Sequence, residues 1–400
     1  MAARRWPNAG RHDRAATATS GEGAMGEVVV VGGGVVGAAA TYQLARQGHT
    51  VTLIDRADDG QATAAGAGII SPGTGALGVG AFRPLAAEAV RYYPELHAAL
   101  AEDGEPNTGF AICGALFIAA TEEELELLPA RLRDMEALRA GGMGNIGELA
   151  LIDGSAARGL FPPLAELPGA IHLSGVGRVD GRRLRDALRR AARRRGATIL
   201  EGNAEIARVG ERVAGVRAAG QDLPADAVII AGGAWSNALG DALGLRLPIY
   251  PQRGQILHLD VPGVATGDWP VITGSYSHYL LAFPESRVVA GATREHDSGY
   301  DYRMTAGGVQ EALGEALRVA PGLATATLHE VRIGLRPTSP DGLPILGRLP
   351  GFDNAYVATG HGASGLTLGP YSGAAIADLA VGKPVAIDLE PFAATRFQSV

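Results

Sequence analysis

Gly32-Gly33-Gly34-Val35-Val36-Gly37 carries the spacing G-x-G-x-x-G, and an acid, Asp55, follows 23 residues after Gly32. Each position has a chemical reason. Gly32 permits a tight turn, Gly34 lets a backbone approach a pyrophosphate with no Cβ in the way, and Gly37 lets a helix lie close to a strand. A helix that starts at this turn offers unpaired N–H groups and a partial positive charge to phosphates. Asp55 can accept hydrogen bonds from ribose hydroxyls; it disfavours a 2′-phosphate, which leaves NAD or FAD ahead of NADP. Val35, Val36 and Arg56 flank these positions and belong with them as candidate binding residues.

The second stretch with chemical content is Arg332-Ile333-Gly334-Leu335-Arg336-Pro337-Thr338-Ser339-Pro340-Asp341-Gly342-Leu343-Pro344. Its Pro and Gly rule out a long helix. Arg336 stands between a strand-like run and a rigid turn, so its stem is held, and a held guanidinium binds a carboxylate through two parallel bonds. A structural salt bridge is the competing role for it. Other chemistries are missing from the sequence. The nine histidines have no H-E-x-x-H spacing, and Cys113 is the single cysteine, so no metal site is expected. There is no G-x-S-x-G elbow and no P-loop.

These residues need elements to position them. Residues 28–31 are a β-branched run fit for a strand buried on both faces, 38–47 read as a helix stopped by Gly48, and 51–54 as a second strand. Two further apolar runs, 227–230 and 355–358, also lead into glycine turns, Gly232-Gly233 and Gly360-His361-Gly362. A helix over 371–380 follows the latter. Three strands that end in glycine turns can deliver three backbones to one ligand at the carboxyl ends of a parallel sheet. The cofactor unit is then built from separated pieces of chain. Residues 247–295 alternate in short runs and read as an antiparallel or mixed sheet forming a second layer. An arginine-heavy helix over 180–195 buries Leu184, Leu188 and Ala191 on one face. Its arginines are read as a solvated surface, with an anionic lipid or nucleic-acid site as the alternative.

The chain has 400 residues, 46% hydrophobic and 19% charged, with net charge −7, which fits a globular protein of about two domains. That charge gives no general attraction to nucleic acid, and no apolar run is long enough for a transmembrane helix. Residues 1–24 show no periodicity and are expected to be disordered. Met25 stands directly before the first strand as an alternative start. The paucity of cysteine is compatible with a reducing, cytoplasmic location; peripheral attachment at the inner membrane face is the alternative.

In order and spacing, VVVVGGGVVG, GQATAAGAGIISP, PQRGQI, VVAGATRE, RIGLRPTSPDGLPILG and ATGHGASGLTLGP resemble the FAD-dependent D-amino-acid oxidase-like oxidoreductases. That family includes glycine oxidase, sarcosine oxidase and D-amino-acid dehydrogenase. The resemblance implies FAD rather than NAD, and oxidation of a carbon–nitrogen bond. It assigns Thr63, Ala67, Gly68 and Ile69 to a second flavin-contacting loop, Glu205 to the adenine region, and Gly232 and Trp235 to the middle cofactor segment. Gly362, Ala363, Ser364, Gly365, Leu366 and Thr367 match the turn over the pyrimidine side of the flavin. Arg336 matches the arginine that pairs with the substrate carboxylate, and Tyr279 a tyrosine that also holds it. The second arginine of glycine oxidases is Ala363 here, which disfavours glycine. Cys113 lies far from the C-terminal motif to which sarcosine oxidases tether flavin, so the FAD is expected to be non-covalent.

The fold expected is therefore α/β: a Rossmann-like FAD-binding domain over 25–105, 172–246 and 329–395, and a smaller α+β substrate domain over 106–171 and 247–328. The activity implied is oxidation of amino acids, D-amino acids first, to imino acids and then 2-oxo acids and ammonia. Glycine or secondary amines such as sarcosine or proline are the alternative, and a non-catalytic flavin scaffold is the rival of another class. The partners are an amino acid and an electron acceptor, whether quinone, dye or oxygen. The sole lysine, Lys383, sits in a Gly-Lys-Pro turn, which argues against lysine-assisted use of oxygen.

Overall fold

A computed structural model describes residues 26–71, 80–274 and 278–397. The expected disorder of residues 1–24 lies outside them. The β-branched run becomes the strand Glu27–Val31, buried except at its first residue, in the middle of a six-stranded sheet. Its neighbours are Thr50–Asp55 and Ala227–Ile230, both parallel to it. Thr198–Glu201 and Ala355–Thr359 extend the sheet in parallel, and Ile345–Arg348 closes one edge antiparallel. The three apolar strands read from the sequence therefore lie side by side, with their glycine turns at the same end.

Two helices cover one face of this sheet. Val35–Arg46 begins three residues earlier than the periodicity indicates, because extended Gly34 serves as its N-cap. Gly365–Ala380 begins six residues earlier than expected and carries Pro370 inside it. Proline cannot donate to the carbonyl four residues back. That carbonyl, Leu366 O, instead accepts the hydroxyl of buried Tyr93, so the helix continues through the proline. The two helices meet at small residues: a Cβ on Gly373 would lie 2.2 Å from Val36 O, so any larger residue would push the pair apart.

The second layer is an eight-stranded mixed sheet, in the order Thr327–Thr338, Tyr250–Asp260, Arg287–Gly291, Tyr279–Phe283, Val271–Gly274, Ala115–Ala119, Gly169–Leu173, Leu149–Asp153. Only Val271–Gly274 and Ala115–Ala119 pair in parallel. This differs from the expected division at two places. The strand Thr327–Thr338 pairs with Tyr250–Asp260 along its length, so 329–338 belong to the second layer and not to the cofactor piece. Gly169–Leu173 also lies in this sheet, so the boundary at 171/172 cuts a strand. A 12-residue strand with a glycine in its middle and a proline near its end gives a weak local strand signal; its long partner determines it.

The arginine-rich helix Gly181–Arg194 is capped by Asp180, whose carboxylate accepts from Arg182 N and Arg183 N. Its surface is not simply solvated, and this corrects the sequence reading. Arg189 pairs with Asp55, Arg190 and Arg194 with Glu105, Arg195 with Asp103, Arg182 with Glu330 and Arg183 with Glu285. The helix is an electrostatic clasp between both layers, which leaves little free charge for lipid or nucleic acid. Among the described residues no helix is long and apolar enough to cross a membrane.

Glu105 is the anchor of this clasp, buried and bonded by two arginines. The bond from Arg190, then that from Arg194, hold its carboxyl below the usual range, against the desolvation that raises it. Glu105→Gln should reduce stability by about 1–2 kcal/mol at neutral pH, the lower part of the range for charged hydrogen bonds because both arginines are half exposed. A depressed carboxylate stabilises the fold above its unfolded pKa of about 4.3, and this is lost as pH falls through the lower folded value. Thermal unfolding of both proteins at pH 7 and at successively lower pH should show the gap closing below about pH 4; a constant gap would contradict the assignment.

Candidate active site

One cavity runs along the carboxyl ends of the parallel strands and under the second sheet. At one end it is lined by Gly32, Gly34, Val35 and Val36. A Cβ on Gly34 would meet only Thr63 Oγ1, at 3.3 Å, so the open side of this turn faces the cavity. Gly37 does not line it; a Cβ there would fall 1.8 Å from Gly32 O, the close packing its place in the motif requires. Thr63 Oγ1 accepts from Val35 N at 3.0 Å and ties the helix start to the second loop. Asp55 and Arg56 line the same end. Asp55 is buried, with Arg189 at 3.0 Å on Oδ2 and Ala57 N at 3.3 Å on Oδ1.

The middle of the cavity is formed by Ala67, Gly68 and Ile69 and, from another strand, by Gly232 and Trp235. Trp235 stacks on Tyr300, whose hydroxyl donates to Ala234 O at 3.0 Å. Glu205 is outside the cavity, which corrects the sequence assignment. The chain turns at Gly202 where the strand Thr198–Glu201 ends, so Gly202, Asn203 and Ala204 face the cavity. Glu205 already begins an exposed strand, Glu205–Val209, of a separate meander. In the last turn Gly362, Ala363, Gly365 and Leu366 line the cavity, but Ser364 and Thr367 do not. The helical turn rotates these two away, and Thr367 Oγ1 donates to Ile69 O at 3.0 Å as a structural tie.

The far end holds Arg336, Tyr279 and Arg294. Gly254 lies opposite Gly334 on adjacent strands, and Arg336 is opposite Gln252. The Arg336 side chain lies across the strand at Gly254: a Cβ there would be 2.4 Å from both terminal nitrogens. Mid-strand glycine is what lets the guanidinium occupy this place. Arg336 Nη1 donates to Thr293 O at 3.0 Å, Gln252 Oε1 at 3.3 Å and Arg253 O at 3.5 Å. All three acceptors are neutral. The nearby carboxylate Glu295 is engaged elsewhere, by Arg253 at 2.6 Å, Gln255 at 2.7 Å and Thr293 Oγ1 at 2.8 Å. Burial lowers the Arg336 pKa, which leaves its cation in need of an anion. Burial raises the Tyr279 hydroxyl, so it stays protonated and able to donate.

Sequence reasoning missed several lining residues, among them Asn203, Arg294 and His361. Asn203 carries no motif. Arg294 stands within VVAGATRE but drew no role. His361 lines the cavity, is buried, and its Nε2 has no hydrogen-bond partner. Desolvation lowers its pKa to about 4, so it is neutral at physiological pH. Cys113 does not line the cavity.

The donor set fits FAD. The Gly34 turn offers an open backbone cradle at a helix start, Asp55 stands beside it, and the orphaned His361 Nε2 points to a missing polar partner in the same cavity.

Comparison with known proteins agrees with this geometry. The profile of the family described as DAO, FAD dependent oxidoreductase, matches residues 27–379. The chain is 40% identical over 369 residues to an uncharacterized oxidoreductase, YurR, of Bacillus subtilis, covering 92% of this chain and 98% of that protein. It is 33% identical to a glycine oxidase of Geobacillus kaustophilus, covering 92% and 97%. Among solved structures it is similar to iminodiacetate oxidase from Chelativorans sp. BNC1, with TM-score 0.86, 40% identity, and 92% and 98% of the two chains covered. With a two-domain fold, a dinucleotide cradle and a profile match over most of its length, the chain belongs to the DAO family of FAD-dependent oxidoreductases.

Proposed function

We propose that this FAD-dependent amino-acid oxidoreductase binds a small amino acid, primary or N-substituted, by its carboxylate at Arg336 and Tyr279 and oxidises the adjoining C–N bond. The observation that carries this is the half-buried Arg336 guanidinium, bonded to neutral oxygens, in the cavity that continues to the Gly34 cradle. Arg336 supplies Nε and Nη2 to the carboxylate, and Tyr279 a further O–H. Anchored there, the substrate presents its Cα–H towards the cavity centre. FAD, held by the Gly34 turn, Asp55 and the 362–366 turn, supplies the two-electron oxidant when bound. Asp55 and Asp58, the carboxylates lining the cavity, belong to the dinucleotide end, and Glu295 near Arg336 does not line it, so among the described residues no carboxylate faces the cavity at the Arg336 end as a base. Two arginines there instead disfavour the ammonium form of the substrate, so that the amine reacts neutral. His361, also neutral, adds no charge. The imino product is hydrolysed by water. The D-amino acids expected from the sequence form one arm of the substrate panel, beside glycine and sarcosine.

Acid precipitation of the purified protein should leave the yellow colour in the supernatant, as non-covalent FAD; colour in the pellet would mean a covalent link. Arg336→Ala should lower kcat/KM by about 10- to 150-fold, the equivalent of one charge-assisted bond of about 1.5–3 kcal/mol, and Tyr279→Phe should raise KM more mildly. If Arg336 only braces the turn after it, Arg336→Ala will reduce thermal stability while KM stays normal. Gly254→Ala should imitate the Arg336→Ala loss with FAD content retained, because the methyl group displaces the guanidinium; an unaltered kcat/KM would show that Arg336 need not lie there. Anaerobic reduction of the bound flavin by the amino-acid panel tests the activity itself, and a flavin that no amine bleaches would contradict it.

A further inference from the structure

We infer that residues 296–304 form a latch across the glycine-rich turn, closed by the hydroxyls of Tyr300 and Tyr302, and that its opening gates the entry and exit of FAD. The order of the parallel sheet sets the geometry. Glu27–Val31, which leads into the turn at Gly32, lies between Thr50–Asp55 and Ala227–Ile230. The chain that leaves Thr50–Asp55 therefore flanks the turn on one side, and the chain that leaves Ala227–Ile230 flanks it on the other. Both flanks line the cavity, the first through Arg56, Asp58 and Gln61 and the second through Ala234 and Trp235.

The segment between Glu295 and the helix Ala306–Val319 touches both flanks. Tyr302 donates to Asp59 Oδ2 at 2.9 Å on the first, and a Cβ on Gly60 would lie 3.2 Å from Tyr302 Cβ. Tyr300 donates to Ala234 O at 3.0 Å on the second, and its ring stacks on Trp235 with centroids 5.8 Å apart. The charges of Arg56 and Asp58 also reach Tyr300, which sets it between the two flanks. The tyrosines thus bridge the ends of two strands that are not neighbours in the sheet, and a dinucleotide seated on the turn lies beneath them. The feet of the segment are fixed on one strand of the second layer. Glu295 exchanges backbone bonds with Arg253, and Thr305 N donates to Gln255 Oε1 at 3.0 Å. Between the feet, Arg253 Nη1 holds Asp301 Oδ2 at 2.9 Å. Opening is then a swing of two exposed side chains from a pinned backbone. Water competes for exposed hydroxyls, so each bond contributes little and the latch can open. Both bonds join protein to protein, so they must break for passage in either direction.

The test uses the FAD-loaded protein and its Tyr300→Phe, Tyr302→Phe and doubly substituted variants. Release is timed from the rise of flavin fluorescence on dilution, and the dissociation constant is read from the final level over a dilution series. Each single variant should release FAD about 2- to 10-fold faster, the equivalent of one neutral hydrogen bond, and the double variant faster than either. The dissociation constant should stay that of the parent, because a gate lowers the barrier to entry and exit alike. Tyr300→Ala, which also removes the stack on Trp235, should release at least as fast as Tyr300→Phe. Release that quickens only in proportion to a weakened dissociation constant would make the tyrosines ordinary wall contacts and overturn the inference. A double variant that loses thermal stability but releases FAD at the parent rate would overturn it too, since the bonds would then only brace the fold. No substrate enters the measurement, so its outcome is separate from that of the Arg336 reading.

Discussion

The guanidinium of Arg336 is a half-buried cation whose protein partners are all neutral oxygens. A charge taken out of water is costly unless an opposite charge meets it. The surroundings are arranged so that the protein itself does not meet it. Glu295, the carboxylate within electrostatic reach, is tied to Arg253, Gln255 and Thr293. Gly254 leaves the space in which the guanidinium lies, and the adjacent long strands fix it in register with Gln252. In the function proposed above, this unmatched charge is the receptor for the substrate carboxylate.

The same logic, with the opposite outcome, holds the two layers together. The helix Gly181–Arg194 is as basic as any segment of the chain, yet its charges are met by Asp55, Glu105 and Asp103 from the cofactor layer and by Glu285 and Glu330 from the second sheet. Arg189 on Asp55 also holds that acid beside the glycine-rich turn. Matched arginines set the frame, whereas Arg336, in the cavity, meets only neutral oxygens.

How far this was legible in the sequence depended on distance along the chain. The dinucleotide turn is local: strand, Gly32 to Gly37, helix and Asp55 lie in one unit, and the structure keeps them together. Tyr279 and Arg336 emerged through the order of motifs that resemble the family, and they share the cavity as that resemblance implied. The failures were long-range. Nothing near Pro370 tells that Tyr93 will satisfy the carbonyl it frees, so the C-terminal helix looked shorter than it is. Nothing near Arg189 tells that Asp55 will meet it, so a clasp looked like a wet surface. Glu205, placed by the resemblance, missed because a turn at Gly202 shifts which residues face the cavity, and the order of motifs does not register such a shift. Arg294 could have been found: a charged residue directly after an apolar strand that the family motifs place beside the tyrosine invites a question about its target.

The most direct measurement of the central claim is a crystal structure of the FAD-loaded protein with a non-oxidisable carboxylate such as methoxyacetate. The account predicts its carboxylate within about 2.7–3.0 Å of Arg336 Nε or Nη2 and of the Tyr279 hydroxyl, with Arg336 still bonded to Thr293 O through Nη1. A carboxylate bound away from Arg336, or an Arg336 that has turned to pair with Glu295, would contradict it.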